Sequence, residues 1–248
     1  MKWCEQDGAR WLEAELQGAT AAFTTRLGGV SEGPFESLNL GRLTGDETAR
    51  VSENRRRAAA ALGLDPARVL IGRQVHEARV VRRVRAPDPN PYAGPAPGAE
   101  EADGQAASAP GLAPLVFVAD CLPVALSGSN GVAMIHCGWR GLAGGIVERG
   151  ANEVKATAAA IGPGIGPCCF EVGAEVSDAF RPLGPGLVEG RMLDLVEVAR
   201  RLLDRSGVGE IEAAGLCTSC SEELFFSHRR DHGRTGRQAG LVWLNGDA

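Results

Sequence analysis

The sequence predicts one large α/β domain, and three observations carry that expectation. A chain of 248 residues with 44% apolar content can bury a substantial core. Short apolar runs of strand length alternate with longer stretches of helical periodicity. The stretch LVFVADCLPVALSGSNGVAMIHCGWR at residues 115–140 sets two such runs around a polar turn, which is a hairpin. No internal repeat divides the chain, and residues 1–85 hold too few strands to close a core alone.

In chain order, residues 19–25 form a strand that delivers TTRLGGVSEGPFESLNLG, a loop rich in glycine that brings backbone close to a neighbour. Asp46 caps a helix running to Leu62, with Gly63 and Pro66 as its stop, and Arg55, Arg56 and Arg57 lie on its solvated face. Residues 69–72 lead into Gln74, Val75 and His76, and residues 79–84 form the next strand. From 86 to 114 the composition turns to proline, glycine and alanine, which reads as a long surface loop. After the hairpin, residues 141–155 are helical, residues 158–161 form a strand, and residues 173–180 and 192–206 form helices. Residues 211–216 and 239–244 close the chain as strands.

Composition excludes several classes. A net charge of -5 and a pI near 5.5 argue against coating nucleic acid or an anionic membrane. No apolar run is long enough to span a bilayer, and residues 1–10 are polar with no signal-peptide core, so a cytoplasmic protein is expected. Seven unevenly spaced cysteines suit reduced thiols better than a disulfide framework.

The hairpin carries the strongest chemical candidate. With its turn centred on Ser129 and Asn130, Pro123 faces His136, and Cys121 shares their face by the alternation of side chains. Cys121 and His136 are then diagonal neighbours roughly 7 Å apart at Cβ, a span that a shared metal bridges. His76 supplies a third ligand, and three N/S ligands leave the open position of a catalytic zinc. Cys121 and His136 alone would serve as a nucleophile and base without metal, a scheme that does not use His76. Packing roles for a cysteine and histidines in apolar runs are the remaining alternative.

Two further groups are weaker. Cys217 and Cys220, C-x2-C, precede His228 and His232, but the seven intervening residues fall short of the usual spacing of about twelve or more for a zinc finger. Arg229, Arg230, Arg234 and Arg237 in FFSHRRDHGRTGR read as a basic turn or a phosphate loop. IGPGIGP lacks the lysine and spacing of a P-loop, and Cys168 and Cys169 are assigned to packing.

Taken together, TTRLGGVSEGPFESLNLG, QVH at 74–76, ADCLPV around Cys121, HCGWRG from His136, IGPGIGPCCFEVG and FFSHRRDHGRTGR resemble the laccase-domain proteins. These were long labelled polyphenol oxidases and are now regarded as zinc-dependent purine nucleoside phosphorylases. The match runs through nearly the whole chain in the family's order. Cys137 stands where alanine is frequent and His228 where tyrosine is common.

The resemblance implies a single-domain α/β sandwich with mixed β-sheets, similar to the Cys/His deamidase toxin fold. It implies a zinc held by His76, Cys121 and His136, with copper able to occupy the same ligands. The implied reactions are phosphorolysis of adenosine, inosine and methylthioadenosine, with adenosine deamination as a further activity, so the partners are small nucleosides and phosphate. A multicopper oxidase needs a type 1 copper and a trinuclear cluster, more imidazoles than the four histidines here provide. Phosphorolysis develops positive charge on the ribose and needs phosphate held beside it. Arg26 and Arg140 are the candidates for phosphate and Asn39 for the ribose or base. Asp103, Asp120 and Glu171 are candidate acid/base groups, with Asp120 alternatively orienting a ligand histidine.

Overall fold

The computed structural model describes residues 1–94 and 98–246. The chain opens with β1 (Lys2–Gln6), β2 (Ala9–Leu16) and β3 (Ala19–Thr24), followed by α1 (Thr48–Ala61), β4 (Val69–Leu70), β5 (Val80–Arg83) and β6 (Gly104–Ala107). Next come β7 (Ala113–Val118), β8 (Leu122–Gly128), β9 (Gly131–Cys137), α2 (Trp139–Ala143), α3 (Ile146–Val154) and β10 (Ala156–Ile161). The remainder is α4 (Ala174–Phe180), β11 (Val188–Glu189), β12 (Met192–Leu193), α5 (Leu195–Arg205), β13 (Glu210–Ala213) and β14 (Gln238–Leu244).

Two mixed six-stranded sheets face each other. The first has the order β1-β2-β3-β14-β7-β4 and the second β13-β10-β8-β9-β6-β5, with β11 and β12 pairing apart. Phe23, Val116, Val118 and Val242 of the first sheet meet Ala125, Val132 and Met134 of the second. The outer face of the second sheet buries Val124, Leu126 and Ile135 against Ile146, Val147, Val198 and Leu203 of α3 and α5. The outer face of the first buries Leu115 and Leu241 against Ala58 and Ala59 of α1. A mixed-sheet α/β sandwich results, as the resemblance implies. Because β8 and β9 lie between a sheet and a helix layer, both of their faces are apolar, which explains their unbroken hydrophobic runs.

Strand parity decides where the chemistry goes. Pro123 pairs with His136 across the hairpin, the expected register. Val132, Met134 and His136 therefore point into the layer between the sheets, while Ala133, Ile135 and Cys137 point to the helices. Cys137 is fully buried there and its thiol is pushed well up by burial, first of all, and by Cys121 and Asp103. In β14, Gly240 lies so close to the hairpin that a Cβ would stand 2.6 Å from the Pro123 Cβ. The sheets approach beneath His136 only because that side chain is missing.

Several expectations change. Residues 115–119 and 123–126, both expected as strand leading into the hairpin, belong to different sheets: β7 lies in the first and β8 in the second, so the chain crosses between sheets at residues 119–121. Asp120 takes a positive φ of 84° at this crossing. Cys121 thus sits just before β8 and not within it. Residues 1–16 form a hairpin, and its signal was present in the Asp7–Gly8 loop, whose positive φ values of 52° and 78° are those of a type I′ turn. Asp46 does not cap α1, because Glu47 occupies the cap position; Gly63, at φ 66°, does close its end. Helix 141–155 is broken in two around Gly144 and Gly145, the latter at φ 86°. Met192 and Leu193 are strand, and Asp194 caps α5 by accepting from the Glu197 amide at 2.9 Å.

Residues 86–114 are not simply a surface loop. They contain β6, all buried, and Tyr92, whose hydroxyl donates to the Arg55 carbonyl at 3.0 Å. Arg55 is accordingly buried and not solvated, with its guanidinium over the rings of Tyr92 and Phe117 at 5.0 and 4.9 Å. Its NH groups donate to the carbonyls of Leu40, Pro91 and Tyr92. Burial pushes this guanidinium down to about 10, and the carbonyls satisfy it without a counter-ion.

Candidate functional site

His76, Cys121 and His136 converge at the rim of the inter-sheet layer, and their ligand atoms all lie within 4.8 Å of one another. The two imidazole rings stand edge to face with centroids 4.9 Å apart. Exposure is graded across the group: His136 is buried, Cys121 half-buried and His76 exposed. The cluster therefore has one face toward solvent, as an open centre requires.

Asp103 builds the centre from behind. Its carboxylate is fully buried. One oxygen lies 2.7 Å from His136 Nδ1 and accepts the His76 amide at 3.0 Å, while the other accepts the amides of Val75 and Glu77 at 3.0 and 2.9 Å. With Nδ1 engaged, His136 presents Nε2 for ligation. His76 holds a positive φ of 62°, an uncommon conformation for a side-chain-bearing residue, and the three amides around it are tied to one carboxylate. Burial tends to raise the Asp103 carboxyl, but His136 and the amides outweigh it and hold it below its usual range.

Burial also opposes charge on Cys121 and His136. For the Cys121 thiol the pull of His136 and hydrogen bonds from both imidazoles win, and it titrates below its ordinary value. For His136 the attraction of Cys121 and Asp103 wins in the other direction. Without a metal these shifts favour a thiolate on Cys121 and an imidazolium on His136. The same donors fit a borderline-soft ion: a thiolate, two neutral imidazoles and an oriented carboxylate behind one of them. Gly138 completes the fit, because a Cβ there would stand 3.0 Å from Cys121 Sγ and 3.4 Å from His76 Cδ2.

The other expected residues fall out unequally. Arg140 is exposed in the first turn of α2, its guanidinium over the Trp139 ring at 4.3 Å, with no ion pair among the described residues. Arg26 donates to the carbonyls of Glu36 and Glu222 and covers the Phe226 ring at 4.7 Å. Asn39 is fully buried, and its amide is saturated inside the protein by Thr44, Asp46, Gly41 and the Arg237 amide. Asp103 is bound on both oxygens and acts as a positioning group. Asp120 turns its carboxylate to Thr218 and the Arg229 amide at 2.7 and 2.6 Å, so orienting the histidine falls to Asp103. Glu171 is exposed and paired with Arg191.

Two features escaped the sequence. Arg237 is half-buried near Cys121 and Asp120; burial lowers its guanidinium, and those two groups pull it back up. It lay within the basic motif but was not separable there from its solvated neighbours. Cys168, Cys169, Cys217 and Cys220 come together in space, which neither the adjacent pair nor the C-x2-C reveals by itself. His228 and His232 belong to neither convergent group.

A mixed-sheet sandwich with an imidazole–thiolate–imidazole centre at the rim of its middle layer is the class of protein this fold and site define. The chain belongs to the family described as multi-copper polyphenol oxidoreductase laccase, whose model matches residues 20–245. It is 38% identical over 241 residues to the purine nucleoside phosphorylase YfiH of Shigella flexneri, spanning 92% of this chain and 95% of that protein. A purine nucleoside phosphorylase of Pseudomonas aeruginosa is 39% identical over 239 residues, spanning 90% and 93%. Among solved structures, the hypothetical protein YfiH of Bacillus licheniformis superposes with a TM-score of 0.87 at 34% identity, covering 98% of this chain and 99% of that one.

Proposed function

We propose that this chain is a zinc-dependent purine nucleoside phosphorylase acting on adenosine, inosine and methylthioadenosine, with adenosine deamination as a second reaction. The observation that carries the reading is the convergence of His76, Cys121 and His136 on one solvent-facing point, in a chain whose relatives are named for phosphorolysis. His76, Cys121 and His136 would hold the ion, and a bound zinc supplies Lewis acidity toward a ligand oxygen. Copper would use the same ligands.

The protein's own groups do the rest. Asp103 keeps both histidines aimed by accepting three backbone amides and contacting His136 Nδ1. Arg140, without an ion pair among the described residues, offers its guanidinium to phosphate; Arg237 adds positive charge nearby. Arg26 shapes the adjoining loop and contributes to the positive field. Asn39 fixes the amide of Arg237 and thereby that residue's position. Reduced cysteines and a negative net charge suit an enzyme of the cytoplasm that acts on small molecules.

One observation favours a second reading. Cys121 and His136 lie within reach of each other, and each favours the other's charged form, which is the activation expected of a metal-free cysteine hydrolase or amidase. Elemental analysis, together with chromatography of adenosine incubated with and without phosphate, separates the two. Adenine and ribose 1-phosphate appearing only with phosphate, and lost in His76→Ala, support phosphorolysis. Inosine formed regardless of phosphate reports deamination. Activity that survives chelators and His76→Ala but not Cys121→Ser selects the hydrolase.

A further inference from the structure

A second group of soft ligands lies outside the centre just described. The sulfurs of Cys168, Cys169, Cys217 and Cys220 all stand within 4.8 Å of one another. Two come from the turn after β10 and two from the turn after β13. Backbone bonds join the two turns alongside the sulfurs: the Gly164 amide donates to the Leu216 carbonyl at 3.3 Å and the Thr218 amide to the Gly164 carbonyl at 2.9 Å. The cluster is therefore held by pairing of the main chain and is not a chance meeting of surface side chains.

Its dimensions discriminate among the uses of four cysteines. Cys220 Sγ lies 3.5 Å from Cys168 Sγ and 3.4 Å from Cys169 Sγ. A disulfide needs about 2.05 Å. Four sulfurs each about 2.3 Å from one zinc stand about 3.8 Å apart along the edges of the tetrahedron. An iron–sulfur cluster divides its four cysteines between two or four irons and so spreads them further. These spacings suit one small ion.

The surroundings prepare thiolate charge. The Gly166 amide donates to Cys217 Sγ at 3.2 Å. Burial opposes ionisation of Cys217, but this amide and those of Cys220 and Ser219 outweigh it, so its thiol sits below the ordinary value. Cys168 is driven strongly the other way, by burial first and then by the neighbouring thiols.

We propose that Cys168, Cys169, Cys217 and Cys220 form a closed tetrathiolate site that binds one zinc ion and ties residues 162–172 to residues 214–221. Thiols that are protonated release their protons to solvent as the ion binds, and no redox change is involved. With all four positions filled by protein, the ion is structural. What it braces is the segment behind Cys121. The Ile165 amide donates to the Asp120 carbonyl at 2.8 Å and the Thr218 hydroxyl to the Asp120 carboxylate at 2.7 Å, one from each tied loop. The staple thereby stiffens the strained crossing on which Cys121 rests.

The test counts metal. Full-length protein purified in zinc without chelator should carry about two zinc ions per chain, falling to about one in Cys217→Ser/Cys220→Ser and to about one in His76→Ala/Cys121→Ser. Because the first variant can fail to fold, the second is also loaded with cobalt. A tetrahedral ligand-field spectrum with thiolate-to-cobalt charge-transfer bands is expected, since among the described residues the four cysteines are then the remaining convergent group of soft ligands. No bound metal in His76→Ala/Cys121→Ser, or a cobalt spectrum without thiolate charge transfer, overturns the proposal. So does a non-reducing peptide map of fresh protein that links Cys220 to Cys168 or Cys169.

Discussion

Asp103 Oδ1 and His136 Nδ1 lie 2.7 Å apart in a fully buried contact, and the same carboxylate holds the backbone of His76. One side chain thus positions two imidazoles that are far apart in sequence. Asp103→Asn preserves shape but replaces one acceptor oxygen by an amide that must face donors. Metal affinity, read by competition with a chelator, should fall by about 10–100-fold. Retention of wild-type affinity would show that the carboxylate is packing only.

Without metal, the Cys121 thiol is the more acidic one and His136 the more basic, because each stabilises the other's charge against burial. Lowering a thiol's titration point puts more thiolate, and so more nucleophile, at neutral pH. Iodoacetamide should therefore label Cys121 of the metal-free protein at a pH below that at which Cys4 reacts, whose thiol is raised by burial and by Glu13. Adding zinc should suppress that labelling, and His136→Ala should move its onset to higher pH. Peptide mapping of the alkylated sites checks all three; equal pH profiles for Cys121 and Cys4 would refute the pairing.

Gly138 has φ -80° and ψ 164°, a conformation open to alanine, so Gly138→Ala isolates sterics from backbone strain. Its Cβ would press on Cys121 Sγ and His76 Cδ2. Metal affinity should drop by about tenfold or more while the thermal midpoint of the metal-free protein stays within about 2 °C. A large fall in the midpoint would instead mark Gly138 as a folding requirement.

Arg140 and Arg26 should separate in steady-state kinetics. Arg140→Ala is expected to raise KM for phosphate about 10–100-fold, the loss of a charge-assisted contact, and to leave the melting temperature unchanged. Arg26→Ala removes hydrogen bonds to Glu36 and Glu222 and should lower stability as well. If Arg140→Ala leaves phosphate dependence intact, phosphate is held elsewhere, with Arg237 next to be tested.

The hairpin register and the nearness of Cys121 to His136 on its inter-sheet side were legible from residues 115–140, because a two-residue turn and side-chain alternation leave little freedom. So were the strands after residue 208 and the glycine stop of α1. The Asp7–Gly8 hairpin was missed, because its polar edge strand carries too little hydrophobic signal for the turn dipeptide to stand out.

Other features belong to the tertiary structure. Asp103 looked like one carboxylate among several in a Pro/Gly-rich segment, and only strand pairing sets it beneath His136. Arg55 looked solvated because a helix surface shows charge but not the loop that folds over it. The four cysteines of residues 168–220 meet because β10 and β13 run parallel and bring their following turns side by side. Local sequence determined periodicity, turns and the chemical types of the ligands, since these depend on neighbours within a few residues. Which distant side chains share a centre was decided by sheet order and packing, which arise from contacts across the whole chain.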